Sequence, residues 1–145
     1  MQRRILFILA GIALVGVMAA TGAWAQNEHF VGEPTCVLSN DCSTVTCSGK
    51  IGGVGQTPTS VTVDIANSGC VNNGGNQPAG HAQAGTEPIT PKGGSITFTE
   101  SVSLTCPPGQ EPVFGDLACI FVTPVGGTRT QVDGCITILK PDSCP

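Results

Sequence analysis

The eight cysteines are the residues of this chain whose chemistry is most constrained by number and spacing. An even number of cysteines is typical of a disulfide framework, here of up to four bonds with 105 possible connectivities. A metal site would need Cys-x-x-Cys pairs at matched spacing, and the chain contains none. The sequence therefore predicts disulfides, with no metal site and no cofactor. The cysteines are Cys36, Cys42, Cys47, Cys70, Cys106, Cys119, Cys135 and Cys144.

The two histidines are the next residues that could support catalysis. A Ser–His–Asp system needs a histidine held on a rigid scaffold. His29 falls in a predicted leader and His81 in a predicted loop, so we expect both to be exposed and non-catalytic. The chain has no Walker loop and no HExxH, GxSxG or EF-hand pattern. We therefore expect a protein that is not an enzyme.

A segment at residues 72–94, rich in glycine, proline and asparagine, has no apolar period and is predicted to be a long loop. Asn and Gly tolerate positive φ, so consecutive tight turns are one interpretation. The alternative is a nest of backbone N–H groups and amide oxygens that holds an anion, a calcium ion or a carbohydrate. The possible interaction residues are Asn72, Asn73, Gly74, Gly75, Asn76, Gln77 and His81.

The elements that must position these residues are short β-strands. Apolar and polar residues alternate with period two in several segments that glycine and proline clusters separate, and no helical period follows Gln26. We expect an all-β protein, a single antiparallel β-sandwich domain of the immunoglobulin-like kind at residues 36–145. The predicted strands lie near residues 44–51, 61–65, 96–104, 119–125, 128–135 and 136–138.

Strand positions suggest two disulfide pairs. Gly126-Gly127 is a good hairpin turn, and a bulge at Asp133-Gly134 would place Cys119 opposite Cys135. Cys47 lies on the apolar face of its strand and Cys70 follows the next strand, so Cys47–Cys70 is a second candidate. The sequence does not assign the other four cysteines.

Threonines recur on the polar faces of the predicted strands. They could form a flat hydroxyl array that binds polysaccharide or ice, although threonine is also simply favoured on solvated strand faces. These residues are Thr44, Thr46, Thr97, Thr99, Thr128 and Thr130.

The N-terminus has the three parts of a secretory signal peptide at residues 1–25. Arg3 and Arg4 precede an apolar run, and Ala23-Trp24-Ala25 forms a cleavage site. Cleavage leaves a loose leader at residues 26–35 and a protein that is secreted, extracellular or periplasmic, with no membrane anchor.

The predicted mature chain is acidic and poor in aromatic residues. It has four basic and ten acidic side chains, hence a net charge of −6. So few cations make nucleic acid and anionic membranes unexpected partners. The mature chain lacks Trp and Tyr, so a stacking platform for sugars or bases is also unexpected.

An ordered set of motifs resembles a group of small exported proteins, mostly bacterial with some fungal, whose function is unassigned. The set comprises Cys47-Ser-Gly-Lys-Ile-Gly-Gly-Val-Gly, Val61-Thr-Val-Asp-Ile, Cys70-Val-Asn-Asn-Gly-Gly-Asn-Gln-Pro-Ala-Gly80 and Cys106-Pro-Pro-Gly. The group carries a Cys-x-Asn-x-Gly-Gly-Asn-x-x-Pro-Gly-like signature within a predicted β-sandwich. This chain departs from it by Ala79 and by the lack of a Trp after Cys106. The resemblance implies fold and export, and nothing about chemistry.

Three functions are consistent with these features. The first is a secreted non-catalytic β-sandwich that acts as an interaction or structural domain, with an unknown protein or polysaccharide partner at a surface. The second is a secreted inhibitor or effector that presents the 72–94 loop, because preorganised loops lose less entropy on binding. The third is carbohydrate or ice binding through the threonine-rich strand face.

Overall fold

The computed structural model describes residues 27–72, 74 and 80–144, and this part of the chain is all β. It contains no helix, and therefore none that could cross a membrane. The predicted signal peptide lies outside the described residues. The strands are β1 (His29–Phe30), β2 (Thr35–Leu38), β3 (Thr44–Gly52), β4 (Thr59–Ala66), β5 (Gly69–Val71), β6 (His81–Gly85), β7 (Ser95–Ser103), β8 (Glu111–Val113), β9 (Leu117–Pro124), β10 (Thr130–Gln131) and β11 (Ile136–Leu139).

Nine strands are connected by hydrogen bonds: seven follow one path in the order β1-β3-β2-β11-β9-β4-β6, while β7 pairs with β3 and β10 pairs with β9 off this path. Strands β5 and β8 form a separate pair. Strand β7 pairs with every residue of β3, so β1 and β2 share the opposite edge of β3.

One strand pair departs from the predicted antiparallel arrangement. Ile136 and Thr137 of β11 pair antiparallel with β9, whereas Ile138 and Leu139 pair parallel with β2. The prediction of antiparallel strands throughout is therefore wrong at this position, and the sheet is mixed. Strand β11 thus lies between β9 and β2 and connects these two strands by hydrogen bonds.

A single apolar cluster holds these strands together. Alternate residues of β3, β4, β7 and β9 are buried, as the period-two pattern predicts. Phe114, Ile51, Ile65 and Ile120 are among the largest fully buried side chains. Burial of each such side chain contributes about 1.5–3 kcal/mol to stability. The core thus fixes which faces of β3, β4, β7 and β9 point outward.

All eight cysteines are in disulfides: Cys36–Cys47, Cys42–Cys144, Cys70–Cys106 and Cys119–Cys135. The Cys119–Cys135 bond is the pair suggested by the hairpin, and Asp133 has the positive φ, 44°, that suits a bulge there. The predicted Cys47–Cys70 pair is wrong. Four disulfides are typical of an oxidising environment, extracellular or periplasmic.

The Cys47–Cys70 prediction fails because β2 was not foreseen. Cys36 lies on β2 directly opposite Cys47 in the β2–β3 register, and both side chains are fully buried. Cys70 lies on β5, away from β3, and bonds to Cys106 beyond the end of β7.

Two segments predicted to be irregular contain strands. Within the leader at residues 26–35, His29 and Phe30 pair with Gly52 and Ile51 of β3. Within the loop at residues 72–94, β6 pairs with β4 along its whole length. The inward residues of β6 are alanines, which give too weak an apolar alternation to predict a strand.

Candidate functional site

A group of outward hydroxyl side chains on β2, β3 and β7 shares one surface. The register of these strands puts the even-numbered polar residues of β3 and the odd-numbered polar residues of β2 and β7 on the same side of the sheet, opposite the core. We call this surface the hydroxyl face. Its members are Thr35, Thr44, Thr46, Ser48, Thr97, Thr99, Ser101 and Ser103.

Hydrogen bonds between strands order the hydroxyl face. The Thr44 and Ser103 hydroxyls are 2.9 Å apart, and so are those of Thr46 and Ser101. The Thr35 and Ser48 hydroxyls are 3.2 Å apart. A hydroxyl has one donor and two acceptor lone pairs, so each bonded pair retains one O–H donor and several acceptor positions for a ligand.

The spacing of the hydroxyl face follows from strand geometry. Outward residues two positions apart on one strand are separated by about 6.7 Å along the strand, and the backbones of neighbouring strands lie about 4.8 Å apart. Val37 and Leu139, exposed register partners on β2 and β11, border the array beside Thr46. The result is a regular polar surface with an apolar margin, which suits a repetitive, hydroxyl-bearing ligand.

The structure brings together four of the six threonines predicted for such an array. Thr44, Thr46, Thr97 and Thr99 lie on the hydroxyl face. Thr128 and Thr130 do not, since Thr128 lies in the β9–β10 turn, Thr130 pairs with Val122 of β9, and both line a different surface cavity. The predicted array did not include the hydroxyl residues Thr35, Ser48, Ser101 and Ser103, although alternation with apolar residues put the three serines on polar strand faces.

One end of the hydroxyl face meets a surface cavity of about 390 Å³. Lys50 follows Ser48 on the outward side of β3, and its register partner on β7 is Thr97. Lys50 and Lys92 both line this cavity and are both exposed. The remaining lining residues are Ile89, Thr90, Ser95, Ile96 and Thr97.

A second polar cluster lies on the outward side of β4, β6 and β9. The His81 Nδ1 atom is 2.8 Å from one Asp64 carboxylate oxygen, and Arg129 donates to the other at 3.3 Å. The Arg129 guanidinium lies 3.9 Å from the centroid of the Phe121 ring, a cation–π contact. His81 is thus on a strand, and not in a loop as predicted.

The Asp64–His81 pair resembles two parts of a catalytic triad, a base and the carboxylate that orients it. Among the described residues, however, no Ser, Thr or Cys side chain is hydrogen-bonded to His81. The His81 side chain is 61% exposed, whereas that of Asp64 is 19% exposed. The described contacts therefore define a polar patch that is distinct from the hydroxyl face.

Of the predicted loop residues, the structure describes Asn72, Gly74 and His81. The Gly74 N–H donates to the Asn72 Oδ1 atom at 3.1 Å, which is a local turn. Asn73, Gly75, Asn76 and Gln77 lie outside the described residues. His81 belongs to the Asp64 cluster, so the structure separates it from the turn at Asn72.

Metal binding has no support in the described parts of the chain. Residues 27–72, 74 and 80–144 contain no group of three His, Cys, Asp or Glu side chains that could hold a metal ion. Comparison of the chain with known protein families, curated proteins and solved structures finds no match.

Proposed function

We propose that the protein is an exported, non-catalytic binding domain that attaches to a polysaccharide through the hydroxyl face. The observation that supports this most is the cross-strand order of the hydroxyls, in which Thr46–Ser101 and Thr44–Ser103 are held at 2.9 Å. Preorganised polar groups lose little entropy when they bind a ligand. A rigid array of weak hydrogen-bonding groups suits a polymer, because many contacts act together along one chain.

The predicted mature chain contains no Trp and no Tyr, which determines what kind of binding is expected. Without aromatic stacking, each sugar contributes only hydrogen bonds and contacts with Val37 and Leu139. Short oligosaccharides should therefore bind weakly, and long or insoluble polymers should bind well.

Co-sedimentation with insoluble polysaccharides of different composition tests this function. Thr46→Val with Ser101→Ala removes two hydroxyls from the hydroxyl face with little change in volume. Gln83→Ala, on the outward side of β6, is the control. We expect the double variant to lose about tenfold in affinity, a loss of roughly 1.4 kcal/mol, and the control to bind as the parent protein does. Binding to no polymer, or equal binding by all three proteins, would contradict the proposal.

We further propose that the domain is an immunoglobulin-like sandwich, with β2, β3 and β7 in one layer and β4, β6 and β9 in the other. Inward residues of both sets belong to the same core cluster, which supports this arrangement. Strand β7 also contacts β4 and β6 without being hydrogen-bonded to either. In a sandwich, the hydroxyl face and the Asp64 cluster would be on opposite outer surfaces.

We also propose that the protein is exported after removal of a signal peptide. Four disulfides support it, since they persist in oxidising compartments. Intact mass of the exported protein, after alkylation of free thiols, should correspond to residues 26–145 with eight hydrogens lost and no alkyl group added. Free thiols or a retained N-terminal segment would contradict export by cleavage.

A second candidate function is inhibition of a secreted enzyme by the segment that follows β5. It is favoured by the Cys70–Cys106 bond, which anchors the start of this segment beside the turn at Asn72. A panel of secreted proteases and glycosidases tests it. Inhibition of one enzyme that is lost on cleavage of the segment would support this function, and no inhibition would exclude it for those enzymes.

A further inference from the structure

The lysines near the hydroxyl face indicate the charge of the ligand. The described residues contain four cationic side chains of lysine or arginine, and the structure shows two kinds of environment for them. Arg129 and Lys140 form ion pairs with Asp64 and Asp116. Lys50 and Lys92 form no ion pair with any described residue.

The two lysines without an ion pair line the same cavity, at the end of the hydroxyl face. This is unexpected in a domain whose described residues carry a net charge of −6, from four basic and ten acidic side chains. Two ammonium groups near one cavity repel each other, and an anion bound between or beside them would replace this repulsion by attraction. Thr90, Ser95 and Thr97 add hydroxyls to the same cavity.

From this arrangement we propose that the ligand is an acidic polysaccharide, whose uronate carboxylate binds between Lys50 and Lys92 while neighbouring sugars lie on the hydroxyl face. The inference rests on the proposed function and specifies its ligand class. Lys50 is in line with Ser48 on the same strand, so one polymer chain can contact the hydroxyls and the cavity together. Ice would offer these ammonium groups no carboxylate partner.

The charge pattern also predicts the salt dependence of binding. The ammonium–carboxylate contacts are made at exposed side chains, where dissolved salt screens them strongly. Affinity for an acidic polymer should therefore fall as salt is added, whereas affinity for a neutral polymer should change little.

The test compares polygalacturonate with the same polymer after methyl esterification, which keeps the backbone and removes the carboxylate charge. Calorimetry or affinity electrophoresis measures binding at low salt, without divalent cations. The variants are Lys50→Gln with Lys92→Gln, and Arg129→Gln as a control of the same charge type on the Asp64 cluster. All three side chains are exposed, so the variants should fold, which thermal melting verifies.

We expect the parent protein to bind polygalacturonate at least about tenfold more tightly than the ester, as charge-assisted hydrogen bonds imply. The double lysine variant should lose this preference, and Arg129→Gln should keep it. Equal binding of both polymers, or a preference that survives loss of both lysines, would overturn the acidic ligand and leave the polysaccharide function intact. Binding of neither polymer, together with no co-sedimentation on any other polysaccharide, would overturn both proposals.

Discussion

Asp41 shows how single polar residues shape the turn that leads into the hydroxyl face. Its carboxylate accepts hydrogen bonds from the Ser39 hydroxyl and from the hydroxyl and N–H of Ser43. The Ser39 side chain also accepts the N–H of Thr44, the first residue of β3. These contacts fix the backbone between β2 and β3, next to the first hydroxyl pair.

The hydrogen bonds to Asp41 predict how stability depends on pH. Bonds from Ser39 and then Ser43 lower the pKa of Asp41 below its usual value of 3.8. A lowered folded-state pKa stabilises the fold above the unfolded pKa, and this contribution disappears as the pH falls through the folded one. We expect Asp41→Asn to lower the melting temperature slightly at neutral pH, with the difference shrinking below about pH 4. A difference that stays constant from neutral to acidic pH would contradict this.

Gly115 is a residue at which an added methyl group should be strongly destabilising. A Cβ atom there would lie 2.1 Å from the carbonyl oxygen of Ala66, and the Gly115 N–H donates to the buried Ser68 hydroxyl. Gly115→Ala should therefore destabilise the domain by about 1–3 kcal/mol. Gly134→Ala is the matched control, because its Cβ would meet nothing within 4 Å. Denaturant unfolding measures both, and equal effects would show that the close approach at Gly115 is not rigid.

At the level of elements, the disulfides differ in the length of chain that they close. Cys42–Cys144 links the β2–β3 turn to the C-terminal segment, 102 residues away, whereas Cys36–Cys47 joins neighbouring strands across 11 residues. Chain entropy alone gives the long loop about 4.7 kcal/mol and the short loop about 2.8 kcal/mol.

This difference predicts the outcome of removing each disulfide. Cys42→Ala with Cys144→Ala should lower the free energy of unfolding by about 4–5 kcal/mol. Cys36→Ala with Cys47→Ala should lower it by about 3 kcal/mol from chain entropy, plus the cost of a cavity, because both side chains are buried. A separate variant, Cys36→Val with Cys47→Val, also removes the disulfide but fills much of that cavity. If the long-loop variant is less destabilised than the valine variant, chain entropy does not dominate.

The sequence predicted the strands in which apolar and polar residues alternate strongly, and it did not predict those in which the alternation is weak. Strands β3, β4, β7 and β9 were predictable because Val, Ile and Phe alternate with polar residues along them. Strand β6 was not, since its inward residues are Ala82 and Ala84. The pairing of Cys36 with Cys47 depended on the register of β2, a four-residue strand too short to recognise by period.

The sequence predicted only part of the candidate site. Alternation put Thr44, Thr46, Thr97 and Thr99 on outward faces, but it did not specify which strands are neighbours. Only the β3–β7 register shows that these residues share a surface with Ser101 and Ser103. The sequence could not predict that Lys50 and Lys92 line one cavity, because this depends on the path of the chain between β6 and β7 and on the pairing of β7 with β3.

For the whole molecule, stability and the proposed binding use different parts of the fold. The core cluster and four disulfides hold the strands in fixed register. That register places the ordered hydroxyls on one surface and the ion pairs of Asp64 on another. A polymer-binding domain needs this rigidity, because a regular ligand is matched only by a surface whose spacing does not fluctuate.

Mapping the bound surface by NMR tests the central claim most directly. Backbone amide shifts of ¹⁵N-labelled protein, disulfides intact, would be followed as a soluble acidic polysaccharide is added. We predict that the shifts change on β2, β3 and β7 and around Lys50 and Lys92, with little change near Asp64 and His81. Changes confined to the Asp64 cluster or to the segment after β5, or no changes at saturating polymer, would contradict binding through the hydroxyl face.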